Sequence, residues 1–305
     1  MTHRMRARQW QAVVAILIVC AACRRDSGPA RIDAQLNSLI PPDTVVLTGA
    51  KLNEIRSSTL YQVHIAGRPA SELEDYAKKL GFDLRKDLDE FLSAYDGKSS
   101  LFLGRGQFPV ATITEQLSKQ SVRQESYKGK TIYGGEDLKF VFLTDRVAAV
   151  GPDDAALRRA IDQQRQPAVM PVRLKKLADQ LPEEAQAWIV SATPLPADLP
   201  ETGIFPMVQK ILGSIESGFA WLNLSRGMRF GIVANCPDAA SAKKLHDAMR
   251  GILGMGRLTW RDQPELLQLL DRLLPKQVES QVRVEAEWSA KEVNALIDQV
   301  SSLRR

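Results

Sequence analysis

Cysteine, histidine and aromatic residues are scarce in this sequence. Among 305 residues there are three cysteines and three histidines, and aromatic residues make up 6% of the chain. So few cysteines exclude a disulfide-dense small fold. The mean hydropathy of −0.20 is too polar for a protein that crosses a membrane several times. With 19 glycines and 16 prolines, the composition is neither collagen-like nor that of a disordered chain.

The sequence contains no recognisable catalytic or metal-binding motif. His3, His64 and His246 are far apart and form no H-E-x-x-H pattern. There is also no G-x-S-x-G elbow and no Walker-type phosphate loop. The sequence therefore predicts no metal, no cofactor and no enzymatic activity. A divergent hydrolase, with a site assembled from distant residues, is the less favoured alternative.

Residues 83–90 contain four acidic residues, interleaved with Arg85 and Lys86. A calcium-binding loop needs a glycine and a final glutamate at fixed positions, and this stretch lacks that spacing. We therefore interpret the stretch as the solvated face of a helix predicted over 84–95, and not as a cation site. Its acidic residues are Asp83, Asp87, Asp89 and Glu90.

The N-terminus has the layout of an export signal. Residues 1–10 contain three arginines and no acid, and an apolar run follows from Ala12 to Ala22. As a helix, this run would cover roughly 16 Å, about half of a hydrocarbon core near 30 Å thick. The pattern predicts a signal peptide over residues 1–22 rather than a transmembrane span.

The segment Val19-Cys20-Ala21-Ala22-Cys23 resembles the lipobox of bacterial lipoproteins. In that family two small residues precede a cysteine that is diacylated and becomes the new N-terminus, and leucine usually stands where this chain has Cys20. The resemblance implies lipidation of Cys23, anchoring in a membrane through N-terminal acyl chains, and a lipidated tether over 23–33. In that family the residue after the lipidated cysteine influences which membrane the protein reaches. Here it is Arg24 and not aspartate, which implies transport to the outer membrane in a cell with two membranes. A conventionally cleaved secreted protein and an uncleaved anchor are the alternatives.

The cysteines fit this interpretation. Cys20 and Cys23 form a C-x-x-C pair, which elsewhere suggests zinc or redox chemistry. Here no second ligand pair is present, and the pair straddles the predicted cleavage site. Cleavage and lipidation would leave Cys236 as the remaining thiol. Because Cys236 follows a predicted strand, we interpret it as a small buried side chain rather than a nucleophile.

The net charge of +5 and the pI near 9.1 suggest a nucleic-acid partner at first. The predicted signal peptide contains three of the 41 basic residues and none of the 36 acidic ones. The excess therefore falls to two in the mature chain, and Arg24 and Arg25 of the tether account for it. We predict no nucleic-acid partner, because the basic pI reflects export and the proximity of a membrane.

From Pro41 onward, short strands alternate with helices, which predicts an α+β fold with antiparallel sheets. The predicted strands are 44–50, 99–104, 124–127, 130–133, 139–143, 147–150, 219–224, 228–235 and 280–288. The predicted helices are 51–56, 70–80, 84–95, 109–119 and those that follow Asp153, Asp238 and Ser289.

A shift of 85 residues aligns two copies of one unit. Val147–Asp153 falls on Ile232–Asp238, and each copy comprises a hairpin, an aspartate suited to a helix N-cap, and a helix. A fainter third copy closes the chain with a strand and a helix capped by Ser289. We expect two similar halves, 34–165 and 166–305, each an antiparallel sheet with helices packed on one face. Internal duplication is favoured over chance recurrence of a common motif.

The sharpest local feature is the turn Gly104-Arg105-Gly106-Gln107 before the predicted helix 109–119. Backbone N–H groups at such a turn, assisted by a cation, can hold an anion, so Gly104, Arg105 and Gly106 are candidate anion-binding residues. The spacing matches neither the dinucleotide fingerprint nor the P-loop. A glycine-relaxed connection between strand and helix is the alternative.

The body resembles uncharacterised exported lipoproteins of environmental bacteria. The resemblance rests on Ile40-Pro41-Pro42-Asp43-Thr44 and on Gly104–Phe108, and it implies no specific activity. We expect an exported, lipid-anchored cell-envelope protein that acts as a non-catalytic binding or scaffolding module, with an unknown protein or small-molecule partner. The alternative is a small-ligand or peptide receptor with its site between the two halves.

Overall fold

The computed structural model covers most of the chain beyond the N-terminus. The predicted signal peptide, the predicted lipidation site Cys23 and most of the predicted tether lie outside the described residues. The described residues are 32–120, 122–134, 139–194 and 213–302.

The described chain divides into two units. The N-terminal unit comprises residues up to Ser57 together with 61–179, and the C-terminal unit comprises Ser58–Leu60 and the residues from Gln180 onward. The sequence places the boundary at 165/166. The observed division falls later because the helix Val172–Ala178 belongs to the N-terminal unit.

Seven antiparallel strands lie in the N-terminal unit. They are β1 (Val46–Lys51), β2 (Leu88–Tyr95), β3 (Ser100–Gly106), β4 (Arg123–Tyr127), β5 (Lys130–Gly134), β6 (Lys139–Phe142) and β7 (Val147–Gly151). Their order across the sheet is β1-β2-β3-β7-β6-β5-β4, and every neighbouring pair is antiparallel. Strands β4 to β7 form the meander that the sequence predicts.

Short helices accompany this sheet. They are α1 (Ala34–Asn37), α2 (Leu52–Arg56), α3 (Thr59–His64), α4 (Glu72–Lys79), α5 (Leu84–Asp87), α6 (Val110–Lys119), α7 (Asp154–Arg165) and α8 (Val172–Ala178). The first two residues of α3 belong to the C-terminal unit. Helix α4 begins with a capping box, in which the Ser71 hydroxyl accepts from the Glu74 N–H at 3.3 Å and the Glu74 carboxylate accepts from the Ser71 N–H at 2.6 Å. Helix α7 packs on β5, β6 and β7.

An aromatic core lies under α6. The rings of Phe82 and Phe108 are 4.9 Å apart, and those of Phe108 and Phe142 are 5.5 Å apart. From α6, Ile113 and Leu117 are buried against this cluster. The apolar stripe of α6 therefore has a defined partner, which explains why the proline-led helix forms where the sequence predicts it.

The helix predicted over 84–95 is wrong. One helical turn, α5, ends at Asp87, and the remainder is strand β2. There Leu92 pairs with Leu103 on β3, while Phe91 stacks on Phe102 at 5.9 Å. A short apolar run fits both the 3.6-residue period of a helix and the two-residue period of a strand. Here the segment pairs with β1 on one side and β3 on the other, and this pairing stabilises the strand.

Five antiparallel strands lie in the C-terminal unit. The strands are β8 (Ala187–Ser191), β9 (Ser217–Asn223), β10 (Met228–Asn235), β11 (Lys276–Val278) and β12 (Gln281–Trp288). Their order is β11-β12-β10-β9-β8, with antiparallel pairing throughout. The helices α9 (Ala239–Thr259), α10 (Pro264–Asp271) and α11 (Ala290–Ser302) complete this unit, and the mixed α+β class predicted for the chain is confirmed.

The repeated local unit is present in both places. Asp153 caps α7 by accepting from the Ala156 N–H at 2.8 Å, and Asp238 caps α9 by accepting from the Ser241 N–H at 2.6 Å. Their backbone angles nearly coincide, with φ, ψ of −149°, 170° and −153°, 171°. Ser289 likewise caps α11. The hairpin-and-capped-helix motif therefore recurs as predicted, while its origin by duplication stays a prediction.

Within the described residues, none of the helices combines the length and the apolar character needed to cross a membrane.

Candidate functional site

The turn between β3 and α6 is held by backbone hydrogen bonds. The N–H groups of Gly106, Gln107 and Phe108 donate to the carbonyls of Arg146, Asp87 and Asp145 at 2.8–2.9 Å. A Cβ atom on Gly106 would lie 2.1 Å from the Asp87 carbonyl oxygen. Glycine is therefore required here because two backbone segments approach closely.

The side chain of Arg105 is surrounded by three carboxylates. Its Nε lies 3.3 Å from Asp33, and its two terminal nitrogens lie 3.4 Å from Asp89 and 3.2 Å from Glu90. Only 18% of the Arg105 side chain is exposed. Such partly buried, multiply paired guanidinium groups are more strongly held than a single surface pair.

Two further arginines complete this network. Arg56 lies 3.6 Å from Asp89 and donates to the Leu88 carbonyl at 2.6 Å, and the more exposed Arg146 lies 3.9 Å from Asp89. Three cations thus face three carboxylates. We call this set the Arg105 cluster; its members are Arg56, Arg105, Arg146, Asp33, Asp89 and Glu90.

The geometry does not support an anion at Gly104, Arg105 and Gly106. The N–H groups of residues 106–108 already have carbonyl partners, and an added anion near Arg105 would meet three carboxylates. The cluster instead ties α1, β2 and β3 together. The alternative interpretation, a glycine-relaxed connection between strand and helix, agrees with the observed hydrogen bonds.

The acidic stretch is not the solvated helix face that the sequence predicts. Asp83 caps α5 by accepting from the Arg85 N–H at 2.9 Å, and Asp87 accepts from the Asp83 N–H at 2.7 Å. Asp89 and Glu90 lie on strand β2 and pair with Arg105. The acids therefore serve capping and ion pairing, because the helix ends before Leu88.

Arg85, from the same stretch, forms a second partly buried ion pair. Its guanidinium donates to both carboxylate oxygens of Glu74, at 2.5 and 3.0 Å, and to the carbonyls of Arg68 and Pro69 at 2.7 and 3.0 Å. The hydrogen bond from Arg85 lowers the pKa of Glu74 from 4.5 to about 2. Arg85 lies on α5, so these hydrogen bonds link α5 to the loop that precedes α4.

A shallow depression lies on the N-terminal unit beside α7. Its volume is about 310 Å³, counting the open solvent above it, and Asp43, Thr44, Asp96, Ser99 and Arg159 contribute its polar lining. The exposed Arg159 pairs with Asp43 at 3.2 Å. Hydrogen bonds led by the Ser99 N–H lower the pKa of Asp96. These groups are engaged with one another, so the depression presents little unpaired charge to a ligand.

The remaining nucleophilic and metal-ligating types are dispersed. Cys236 is buried, as expected, and burial raises the pKa of its thiol. The Nδ1 atom of His246 lies 3.1 Å from Asp247 at the surface. Across the described ranges, no three residues of the His, Cys, Asp and Glu types are grouped to hold a metal ion.

Sequence reasoning missed Asp33 and the two outer arginines of the cluster. Asp33 also caps α1, accepting from the Gln35 and Leu36 N–H groups at 2.9 and 3.2 Å. An aspartate just before a short apolar-periodic segment is a cap signal. Its second role depends on the placement of β3 beside α1, which no local pattern reveals.

Comparison with known proteins shows the fold alone. No protein-family model matches the chain, and no curated protein matches it. Among solved structures, crystal form III of TP0453 matches with a TM-score of 0.55 at 12% identity, over 90% of this chain and 99% of that one. Crystal forms I and IV of TP0453 each give a TM-score of 0.51 at 12% identity. The chain is therefore similar in fold to TP0453 along nearly its whole length.

Proposed function

We propose that this protein is an exported lipoprotein, anchored in a cell-envelope membrane through acyl chains on Cys23. The observation that carries the proposal is the order of basic residues, short apolar run and Ala21-Ala22-Cys23 at the N-terminus. Diacylation alone gives the two chains that stable anchoring needs. Arg24 after the cysteine favours the outer membrane in a cell with two.

The body is proposed to act as a non-catalytic binding or scaffolding module. Supporting this, the Arg105 cluster is balanced internally, with three cations facing three carboxylates, and joins structural elements. The Cys236 thiol is buried and its pKa is raised, which disfavours the nucleophilic thiolate. A scaffold needs a stable fold and a surface rather than a reactive centre.

Metabolic labelling with a fatty acid tests the anchor. The wild-type protein should carry the label and Cys23→Ser should not, because the acceptor thiol is lost. Cys20→Ser is the matched control and should keep the label, since Cys20 leaves with the signal peptide. An unlabelled wild-type protein, or label that persists in Cys23→Ser, overturns the proposal.

A ligand screen by thermal unfolding separates scaffold from receptor. A scaffold should show no saturable rise in its unfolding temperature with small molecules or short peptides. A saturable rise would favour the receptor alternative, in which a ligand stabilises the folded state by mass action. Arg105→Ala is unsuited to this screen, because loss of the cluster changes stability by itself.

A further inference from the structure

An exposed apolar and basic surface lies on the N-terminal unit near α8. Val169 and Val172 have 78% and 67% of their area exposed. Arg165, Arg173 and Lys176 are exposed beside them along the chain. We call these five residues the 165–176 surface.

Helix α8 turns part of this surface away from the body. Leu174 and Leu177 are buried on one side of the helix. Val172 and Lys176 are four residues apart and therefore neighbours on the opposite side. An apolar side chain and a cation thus project together from a helix that is fixed by its buried leucines.

The segment carries a net positive charge. Between residues 162 and 179 there are four basic residues, with Asp162 and Asp179 at its two ends. Lys175, at the C-terminal end of the segment, pairs with Asp179 at 2.6 Å. Exposed valines flanked by cations suit a bilayer surface, where apolar side chains enter the headgroup boundary and basic residues meet anionic lipids.

The surface lies beside the point where the tether enters the body. The Ala168 N–H donates to the Ser38 carbonyl at 3.3 Å, and the Gln163 amide donates to the Ile40 carbonyl at 3.2 Å. Both carbonyls lie a few residues after Asp33. Asp33 is ten positions after Cys23, and ten residues span at most about 36 Å. An acylated Cys23 would therefore hold this face close to its membrane.

We propose that the 165–176 surface docks on the anionic phospholipid bilayer that holds the acyl chains of Cys23. This inference rests on the proposed lipid anchor and adds a second, reversible contact that orients the N-terminal unit. The anchor keeps the N-terminal unit near the bilayer and so raises the effective concentration of the second contact. The valines and cations of the 165–176 surface determine which face of the unit contacts the lipid.

A fluorophore at residue 169 tests the docking in the full-length, acylated protein. In Val169→Cys the new thiol is the accessible one, because the acylated Cys23 is blocked and Cys236 is 5% exposed. An environment-sensitive dye on this thiol should shift to the blue in vesicles of phosphatidylcholine with phosphatidylglycerol. The dye at Leu73→Cys is the control, since Leu73 is also exposed, at 58%, and should not shift.

Charge removal gives a second readout. Arg173→Gln with Lys176→Gln should lower the ratio of docked to free protein by about 30-fold, from roughly fivefold for each basic residue near an anionic surface. High salt should also reduce the dye shift, because the Debye length falls from about 10 Å at 0.1 M to about 3 Å at 1 M. Unfolding temperatures of the wild type and the double variant, measured without vesicles, control for a change in stability.

The outcomes separate docking from anchoring. A labelled, vesicle-bound protein whose dye at 169 stays in water overturns the docking and leaves the anchor intact. Equal shifts at 169 and 73 also overturn it, because the contact is then unspecific. A protein that carries no fatty acid and does not float with vesicles overturns the proposed anchor itself.

Discussion

Arg105 shows how the setting of a residue changes the meaning of its motif. In the sequence it stands between two glycines before a helix, the arrangement of an anion-binding turn. In the fold, Asp33 comes from 72 positions earlier and Asp89 and Glu90 from the neighbouring strand. Which carboxylates reach Arg105 depends on strand order and register, and these are properties of the whole sheet.

Removal of the Arg105 side chain should destabilise the protein. In Arg105→Ala three partly buried carboxylates lose their shared cation, and we expect the free energy of unfolding to fall by about 1–3 kcal/mol. Urea unfolding at pH 7 measures the change. The matched control is Arg159→Ala, whose pair with Asp43 is about half exposed and contributes about 1 kcal/mol or less. Equal losses in both variants would contradict a structural role for the cluster.

The pair of Glu74 and Arg85 should make stability depend on pH. The pKa of Glu74 is about 2 in the fold, below its usual 4.5, chiefly because Arg85 donates to its carboxylate. A depressed folded-state pKa stabilises above the unfolded value, and this contribution is lost as pH falls from about 4.5 to about 2. Glu74→Gln should therefore have a lower free energy of unfolding than wild type at pH 7. The difference between the two proteins should shrink as the pH falls from about 4.5 to about 2.

Urea unfolding of both proteins between pH 7 and the acid limit of folding measures this gap. Glu72→Gln, an exposed change on the same helix, should cost less at pH 7. A gap between wild type and Glu74→Gln that stays constant down to the acid limit would contradict the role of the Arg85 hydrogen bond.

Among the helices and strands, the predictions that hold are those set by interactions between residues close in the chain. The capped helices after Asp153, Asp238 and Ser289 and the four-strand meander are confirmed, because N-caps and alternation act over a few residues. The segment 84–95 failed because a short apolar run fits both periods. There β2 gains partners on both edges, which outweighs the helical alternative.

The two aspartate caps should contribute equally to stability. Asp153→Ala and Asp238→Ala should each lower the free energy of unfolding by about 1 kcal/mol, because each leaves a first-turn N–H without its acceptor. The Asn variants should retain most of the stability, since asparagine caps as well. Asp262→Ala, at an 86% exposed side chain, is the neutral control. A strong loss in the Asn variants would show that charge, and not capping, is responsible.

At the scale of the whole molecule, the chain crosses from one unit to the other and returns. The recurring motif suggests two parts, but nothing in the sequence indicates the excursion at Ser58–Leu60. Leu60 is 6% exposed and belongs to the core of the C-terminal unit with Phe230, Leu266 and Trp288. No local pattern signals that a three-residue segment packs into a core with these three residues, which lie 170 to 228 positions later in the chain.

Leu60→Ala should therefore destabilise the C-terminal unit, although residue 60 lies early in the chain. Loss of this buried side chain should cost about 2–4 kcal/mol. Beyond the predicted signal peptide, every tryptophan lies after residue 180, so tryptophan fluorescence during urea unfolding reports on that unit. Leu73→Ala, on an exposed side chain, is the control. An unchanged tryptophan transition in Leu60→Ala would contradict the assignment of Leu60.

The same excursion sets an order on folding. A chain made from its N-terminus presents Leu60 long before Phe230 and Trp288 exist, so the N-terminal unit is completed around a segment whose partners come last. Contacts of such long sequence separation form slowly, because the intervening chain must be closed first. Until the last strand and helix arrive, Leu60 is an exposed hydrophobic site of the kind that holding chaperones recognise.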